Sequence, residues 1–157
     1  MTWEERLAAT WEALDEVPED AFRARVDALA EEAPDPAVGA FERACALDST
    51  GHSDRAAPLY REALAAGLGG IRRRRATIQL ASSLRNIGRA DESVALLRAE
   101  RDAASVELDD AVSAFLALAL ADVGEEREGL ALALETLAPH LPRYHRSLGN
   151  YARSLTD

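Results

Sequence analysis

No lysine occurs among the 157 residues, so all eighteen basic side chains are arginine. That fits a GC-rich coding sequence and asks for no functional explanation. A single cysteine, Cys45, excludes an internal disulfide and a multi-cysteine zinc site, and suits a reducing cytosol. Aromatic residues make up only 5% of the chain, and valine, isoleucine and threonine are few. No apolar run is long enough to span a bilayer. The start, with Glu4 and Glu5 directly after Trp3, lacks the basic segment of a secretory signal. The expectation is a soluble, cytoplasmic protein. What fills the chain instead is alanine, leucine, glutamate and arginine, all strong helix formers. An all-α protein follows, and 157 residues suffice for one domain with a real core.

The net charge of −10 is unevenly spread. Residues 1–70 carry fifteen acids and six arginines, residues 71–101 three acids and eight arginines, and residues 102–157 ten acids and four arginines. A basic middle therefore lies between two acidic ends. The acidic total works against general nucleic-acid binding, because phosphate would be repelled over most of the surface. A local anion site in the middle stays compatible with it.

Helix starts are well marked. Thr2-Trp3-Glu4-Glu5 is a capping box. Asp35-Pro36 sets a cap before a proline whose missing N–H costs nothing at the first helical position. Asp91 and Glu92 place acids at the positive end of a helix. The signals predict helices near 2–16, 19–32, 36–49, 53–66, 71–87, 91–103, 107–122, 126–138 and 143–155. Pro58 falls just past the first turn of its helix, where a bend or a late start is expected. All the connections are short, so neighbouring helices run antiparallel. No long alternation of apolar and polar residues supports a strand.

Glycine sets the period. Gly51, Gly88 and Gly124 stand 37 and 36 residues apart. Seven residues before each is Ala44, Ala81 or Ala117, and four before is Leu47, Leu84 or Leu120. Five after comes a small residue (Ala56, Ser93, Gly129), and nine after come Tyr60, Leu97 and Ala133. Small residues let two helices approach closely, leucine fills the seam, and glycine ends the first helix in a left-handed conformation. Each unit reads as a helical hairpin.

These residues resemble the tetratricopeptide repeat superfamily, whose pattern is W-x2-L-G-x2-Y, then A-x3-F, then P. Leu80-Ala81-x2-Leu84 before Gly88, and Leu116-Ala117-x2-Leu120, match the first half; Ala56-x3-Tyr60, continuing to Ala63-Leu64, matches the second. Leu7-Ala8-x2-Trp11 before the turn at Glu16-Val17-Pro18 is similar to a degenerate unit. The runs QLASSLRNIGR and LPRYHRSLGNYA look most like a bacterial subgroup of short, free-standing repeat proteins. The resemblance implies a right-handed superhelix of antiparallel helix pairs that binds partners and shares no catalytic activity. It implies a single domain over 1–157. Within it lie a degenerate helix pair at 1–34, repeats at 36–66, 71–103 and 107–140, and a capping helix at 143–157. In the cap, Tyr144, Leu148, Tyr151 and Leu155 form one apolar stripe that covers the last repeat.

Candidates for chemistry are few. Gly67-Leu68-Gly69-Gly70 follows a helix and has Arg72 where a dinucleotide loop needs its third glycine, so it reads as an inter-repeat turn. His140 and His145 straddle Pro142 without a cysteine or further ligand pair, and carry no metal assignment. His52 reads as a surface or capping residue, and Cys45, among Ala44, Ala46 and Leu47, as a buried structural thiol. No catalytic arrangement can be argued, and neither a catalytic residue nor a cofactor is expected. The run Arg72–Arg75 points around most of a helix and cannot form one patch. Arg72, Arg75, Gln79, Ser82 and Asn86, however, form one polar stripe, flanked by Arg85. Its plain reading is a solvated face. In the resembled family the first helix of each repeat lines the concave groove, so the stripe is also a candidate grip on a partner's carboxylate or acidic segment. Phe41 and Phe115 would add contact area, and Leu80, Leu84 and Ile87 would take the packing side. The expected function is a non-enzymatic interaction module for a protein or peptide partner. The alternatives are a homo-oligomer, in which the basic middle of one chain meets an acidic end of another, and an anion, nucleotide or RNA binder.

Overall fold

The structure, a computed structural model, describes residues 1–103 and 105–157. The described residues form α1 (Trp3–Glu12), α2 (Glu19–Glu31), α3 (Pro36–Ser49), α4 (Ser53–Ala65), α5 (Gly70–Asn86), α6 (Ala90–Arg101), α7 (Asp109–Asp122), α8 (Glu126–Leu137) and α9 (His145–Arg153). A 3-10 turn at Ala138–His140 follows α8, and no strand occurs among the described residues. The chain forms two compact units, Met1–Ser83 and Leu84–Asp157, with the boundary inside the last turn of α5.

The caps act as the sequence predicts. Thr2 accepts from the Glu5 N–H at 3.2 Å while Glu5 accepts from the Thr2 N–H at 2.6 Å. The Asp35 carboxylate accepts from the Ala37 N–H at 2.8 Å. Helix α1 stops four residues short of the expected end. Its last bonds tighten to the i−3 type, Leu14 N–H to the Trp11 carbonyl at 3.1 Å, and Val17 precedes Pro18, which disfavours helical backbone. Pro58 causes no late start: α4 begins at Ser53 and carries the proline inside.

The repeating glycines are helix-ending turns, with φ of 80°, 81° and 83° at Gly51, Gly88 and Gly124. In each, the N–H after the glycine reaches back to the leucine four residues before it. The His52, Arg89 and Glu125 N–H groups donate to the Leu47, Leu84 and Leu120 carbonyls at 2.9, 2.8 and 2.9 Å. This closes carbonyls that the helix end leaves unpaired. Small residues bring the paired helices together. A β-carbon at Gly129 would lie 2.7 Å from the Ala117 carbonyl oxygen and 3.5 Å from the Leu120 β-carbon, joining three of the repeated positions. Ala133, the position nine after Gly124, is exposed, so the period weakens there.

In the first unit α2 packs on α1 and α3, and α3 on α4. Phe22 and Val26 are fully buried and Trp11 meets Phe22 edge-on, with ring centroids 5.1 Å apart. In the second unit α6 packs on α7, α7 on α8 and α8 on α9, around fully buried Leu97, Leu116 and Leu120. Each such leucine contributes roughly 1.5–3 kcal/mol of transfer free energy. Arg98 on α6 reaches two acids at the start of α8, Glu125 at 2.8 Å and Glu128 at 3.1 Å.

Two expectations need correction. Ile87 lies past the end of α5, more than a third exposed, and takes no packing side; only Leu80 and Leu84 are buried. The tail stripe does not cover the last repeat either. Helix α9 starts at His145, after Pro142 and a left-handed Tyr144, and packs through Gly149 and Ala152. Leu148 and Leu155 are half-buried at the edge of that contact, while Tyr144 and Tyr151 point outward, 75% and 71% exposed. The buried Gly149 and Ala152 set the packing side of α9, and the tyrosine rings project away from it.

Candidate functional site

The first unit holds a cleft of about 290 Å³ whose walls come from three helices. Helix α1 presents Glu4, Leu7, Ala8 and Trp11, spaced so that all four share one face. Helix α3 supplies the floor with Glu42, Cys45 and Ser49, at +3 and +4. Helix α5 brings Arg72, Arg75 and Gln79, again at +3 and +4.

Charge is arranged unequally across the cleft. Arg72 is already engaged: it donates to Glu4 at 2.7 Å and to Glu42 at 3.4 Å, and lies 5.9 Å from the Trp3 ring centroid. The Glu4 hydrogen bond holds the Arg72 guanidinium above its ordinary pKa. Glu42 is only 3% exposed and also accepts from the Trp11 indole N–H at 3.1 Å. Burial raises its carboxyl above the usual range, against the pull of Trp11 and the two arginines. Arg75 differs. Its guanidinium is exposed, stands 5.1 Å over the face of the buried Phe41 ring, and makes no ion pair among the described residues. A cation over an aromatic face keeps its N–H donors available, while its charge still bears on Glu42.

Beneath Arg75 the floor is closed. The Cys45 thiol donates to Gln79 Oε1 at 3.6 Å, and burial, helped by the Glu42 charge, pushes its pKa up to about 12. The neighbouring Tyr60 hydroxyl is likewise pushed upward by burial. The buried-thiol reading of Cys45 therefore holds. At about pH 8 an alkylating reagent should leave the folded chain unlabelled and label it in step with urea unfolding. Rapid labelling of the folded chain would put the thiol at the surface.

Glu42 gives a second test. Its carboxyl is raised in the folded state, so the stability it contributes is complete below the ordinary glutamate pKa and is lost as pH rises through the raised value. Glu42→Gln removes that loss and keeps an acceptor for Trp11. The melting temperature of Glu42→Gln relative to the parent should therefore climb from about pH 4 to about pH 7. A relative fall over that range would mean that pairing with Arg72, not burial, governs the group.

Of the eight residues expected at a binding face, Arg72, Arg75 and Gln79 line this cleft, and Phe41 lies beneath it. Phe41 is fully buried and offers a partner no surface; its ring packs 6.2 Å from Tyr60 and carries Arg75. Ser82 is half-buried further along α5 in the same unit. Arg85, Asn86 and Phe115 belong to the second unit, where Arg85 Nε lies 2.5 Å from Asp122 and Phe115 is half-buried. The acids and Trp11 escaped the sequence reading. Two signals could have found them: the +3, +1, +3 stripe in α1, and the acid Glu42 in the alanine-rich middle of α3.

Elsewhere the candidates resolve plainly. His140 Nε2 lies 2.8 Å from the Asp110 carboxylate, and no cluster of metal-ligating residues occurs among the described residues. His52 occupies the N-cap position of α4 without a side-chain capping bond. Gly67 and Gly70, with φ of 88° and 59°, form the turn between α4 and α5. No helix among the described residues is long and apolar enough to cross a membrane.

A family model described as Tetratrico peptide repeat matches residues 37–155. No curated protein and no solved structure matches the chain.

Proposed function

Because the chain belongs to the tetratricopeptide repeat family, we propose that it is a non-catalytic interaction module whose α1/α3/α5 cleft receives a carboxylate-bearing segment of a protein partner. One observation carries this reading: Arg75 stands exposed over Phe41, beside Gln79, with no ion pair among the described residues, while its neighbour Arg72 is held by two acids. An arginine so placed can bind a carboxylate through two parallel N–H donors. Leu7 and Trp11 give the cleft an apolar wall against which the partner's chain can lie. A volume near 290 Å³ suits one side chain or chain end rather than a folded surface.

The test uses a fluorescent peptide panel in which acidic side chains and free or amidated carboxyl ends vary. Arg75→Ala should leave the melting temperature nearly unchanged and weaken the best acidic peptide by about 1.5–3 kcal/mol. Binding should also weaken as salt rises, because the contact is only partly shielded from solvent. Arg85→Ala, which breaks the pair with Asp122 in the other unit, should leave this affinity alone and alter stability by about 0–1 kcal/mol. Unchanged affinity in Arg75→Ala moves the binding site elsewhere.

A further inference from the structure

Helix α9 packs on α8 in the second unit. A terminal helix that merely seals a stack of repeats needs a polar outer face. This one carries Tyr151, with Tyr144 just before its first turn, and both rings are exposed while Leu148 and Leu155 are half-buried. Tyr144 holds φ at 68°, a region its β-carbon disfavours, and gains no burial from it. Two exposed aromatic rings flanking one helix are a surface for another segment.

Charge says which segment. Residues 141–155 contain Arg143, Arg146, Arg153 and His145 and no acid, in a chain whose net charge is −10. Arg127 of α8 donates to the Leu155 carbonyl and adds a fourth arginine at the end of the helix. Glu135 is the acid that shares the hollow along α9 with Arg146 and Arg153. The opposite pattern occurs at the turn joining α1 and α2. There Glu12, Asp15, Glu16, Glu19 and Asp20 are all exposed, with no basic residue between them. Arg23 takes Glu19 and Asp20, while Glu12, Asp15 and Glu16 make no ion pair among the described residues. Leu14 and Val17 pack inward on Phe22, Val26 and Ala46 and are half-buried, so their remaining exposed edges offer the apolar contact that tyrosine rings can cover.

We propose that the protein associates with a second copy of itself head to tail, the α9 end of one copy receiving the α1–α2 turn of the next. The arginines of the tail meet Glu12, Asp15 and Glu16, and Tyr144 and Tyr151 pack on Leu14 and Val17. Each copy carries both a turn and a tail, so association grows with concentration. The contact is independent of the Arg75 cleft, and its test needs no partner.

Sedimentation velocity of the full chain, from about 5 to about 500 µM, should show a growing average mass at about 50 mM salt and much less growth at about 500 mM. Arg143→Glu with Arg146→Glu, and separately Glu12→Arg with Asp15→Arg and Glu16→Arg, should each weaken association at least about tenfold. Mixing the two variants should restore it, because a reversed tail then meets a reversed turn. Tyr144→Ser with Tyr151→Ser, at positions too exposed to unfold the chain, should weaken it as well. A parent chain that stays monomeric across the range at low salt overturns the proposal. So does association that survives both charge reversals, or variants that fail to recover when mixed.

Discussion

Phe41→Ala should cost the first unit about 3–5 kcal/mol, because a fully buried ring leaves a cavity that its neighbours cannot close. The ring lies on α3 between Tyr60 of α4 and the Arg75 guanidinium of α5, so its loss loosens the cleft as well as the core. Both tryptophans, Trp3 and Trp11, belong to this unit, and their fluorescence in urea reports its unfolding without interference from the second. Phe41→Leu separates the two roles. It keeps most of the apolar volume and removes the aromatic face, so it should lose much less stability and still weaken an acidic peptide. A midpoint for Phe41→Ala within about 1 kcal/mol of the parent would contradict the burial of the ring. Full peptide affinity in Phe41→Leu would mean that Arg75 needs no platform.

Gly129→Ala should reverse the usual sign of its substitution. In an ordinary helix interior, glycine to alanine gains roughly 1 kcal/mol. Here the new β-carbon would sit 2.7 Å from the Ala117 carbonyl oxygen, a backbone atom that cannot swing away, so α7 and α8 must separate. A net loss of about 1–3 kcal/mol is expected. Gly39→Ala should behave alike in the first unit, where the contact is 2.6 Å to the Ala30 carbonyl oxygen. Gly149→Ala is the control. Its nearest neighbours are the Arg153 guanidinium nitrogens at 3.6 and 3.9 Å, which can move, so it should be neutral or stabilising. Helix melting followed by circular dichroism orders the three, and a stabilising Gly129→Ala would place the α7–α8 contact wrongly.

The hairpins were legible because they depend on local chemistry. A glycine at φ near 80° and a leucine carbonyl four residues earlier form one short-range motif, and Gly51, Gly88 and Gly124 repeat it at even spacing. Helix ends were readable where a cap or a proline marks them, as at Asp35-Pro36. They were misread where tightening of the last turn decides, as at Trp11–Leu14.

The candidate site was half legible. Arg72, Arg75 and Gln79 share a face through helical spacing alone, which any sequence displays. Periodicity along one helix cannot say what stands opposite, and Arg72 and Arg75 differ only in that respect. Two acids from α1 and α3 claim one guanidinium, and an aromatic ring on α3 holds the other. Phe41 and Tyr144 make the same point from both directions, the first an expected contact residue that is buried, the second an expected core residue that is exposed.

By itself, then, the sequence determined that the chain is helical, where most helices stop, and that they fold back in pairs, since each follows from propensity, capping and short-range hydrogen bonds. Only the tertiary structure decided which charges are paired inside the molecule and which stay exposed without an ion pair. That outcome depends on distances between side chains about thirty to seventy residues apart, as between Glu42 or Glu4 and Arg72, and packing sets those distances one helix against another.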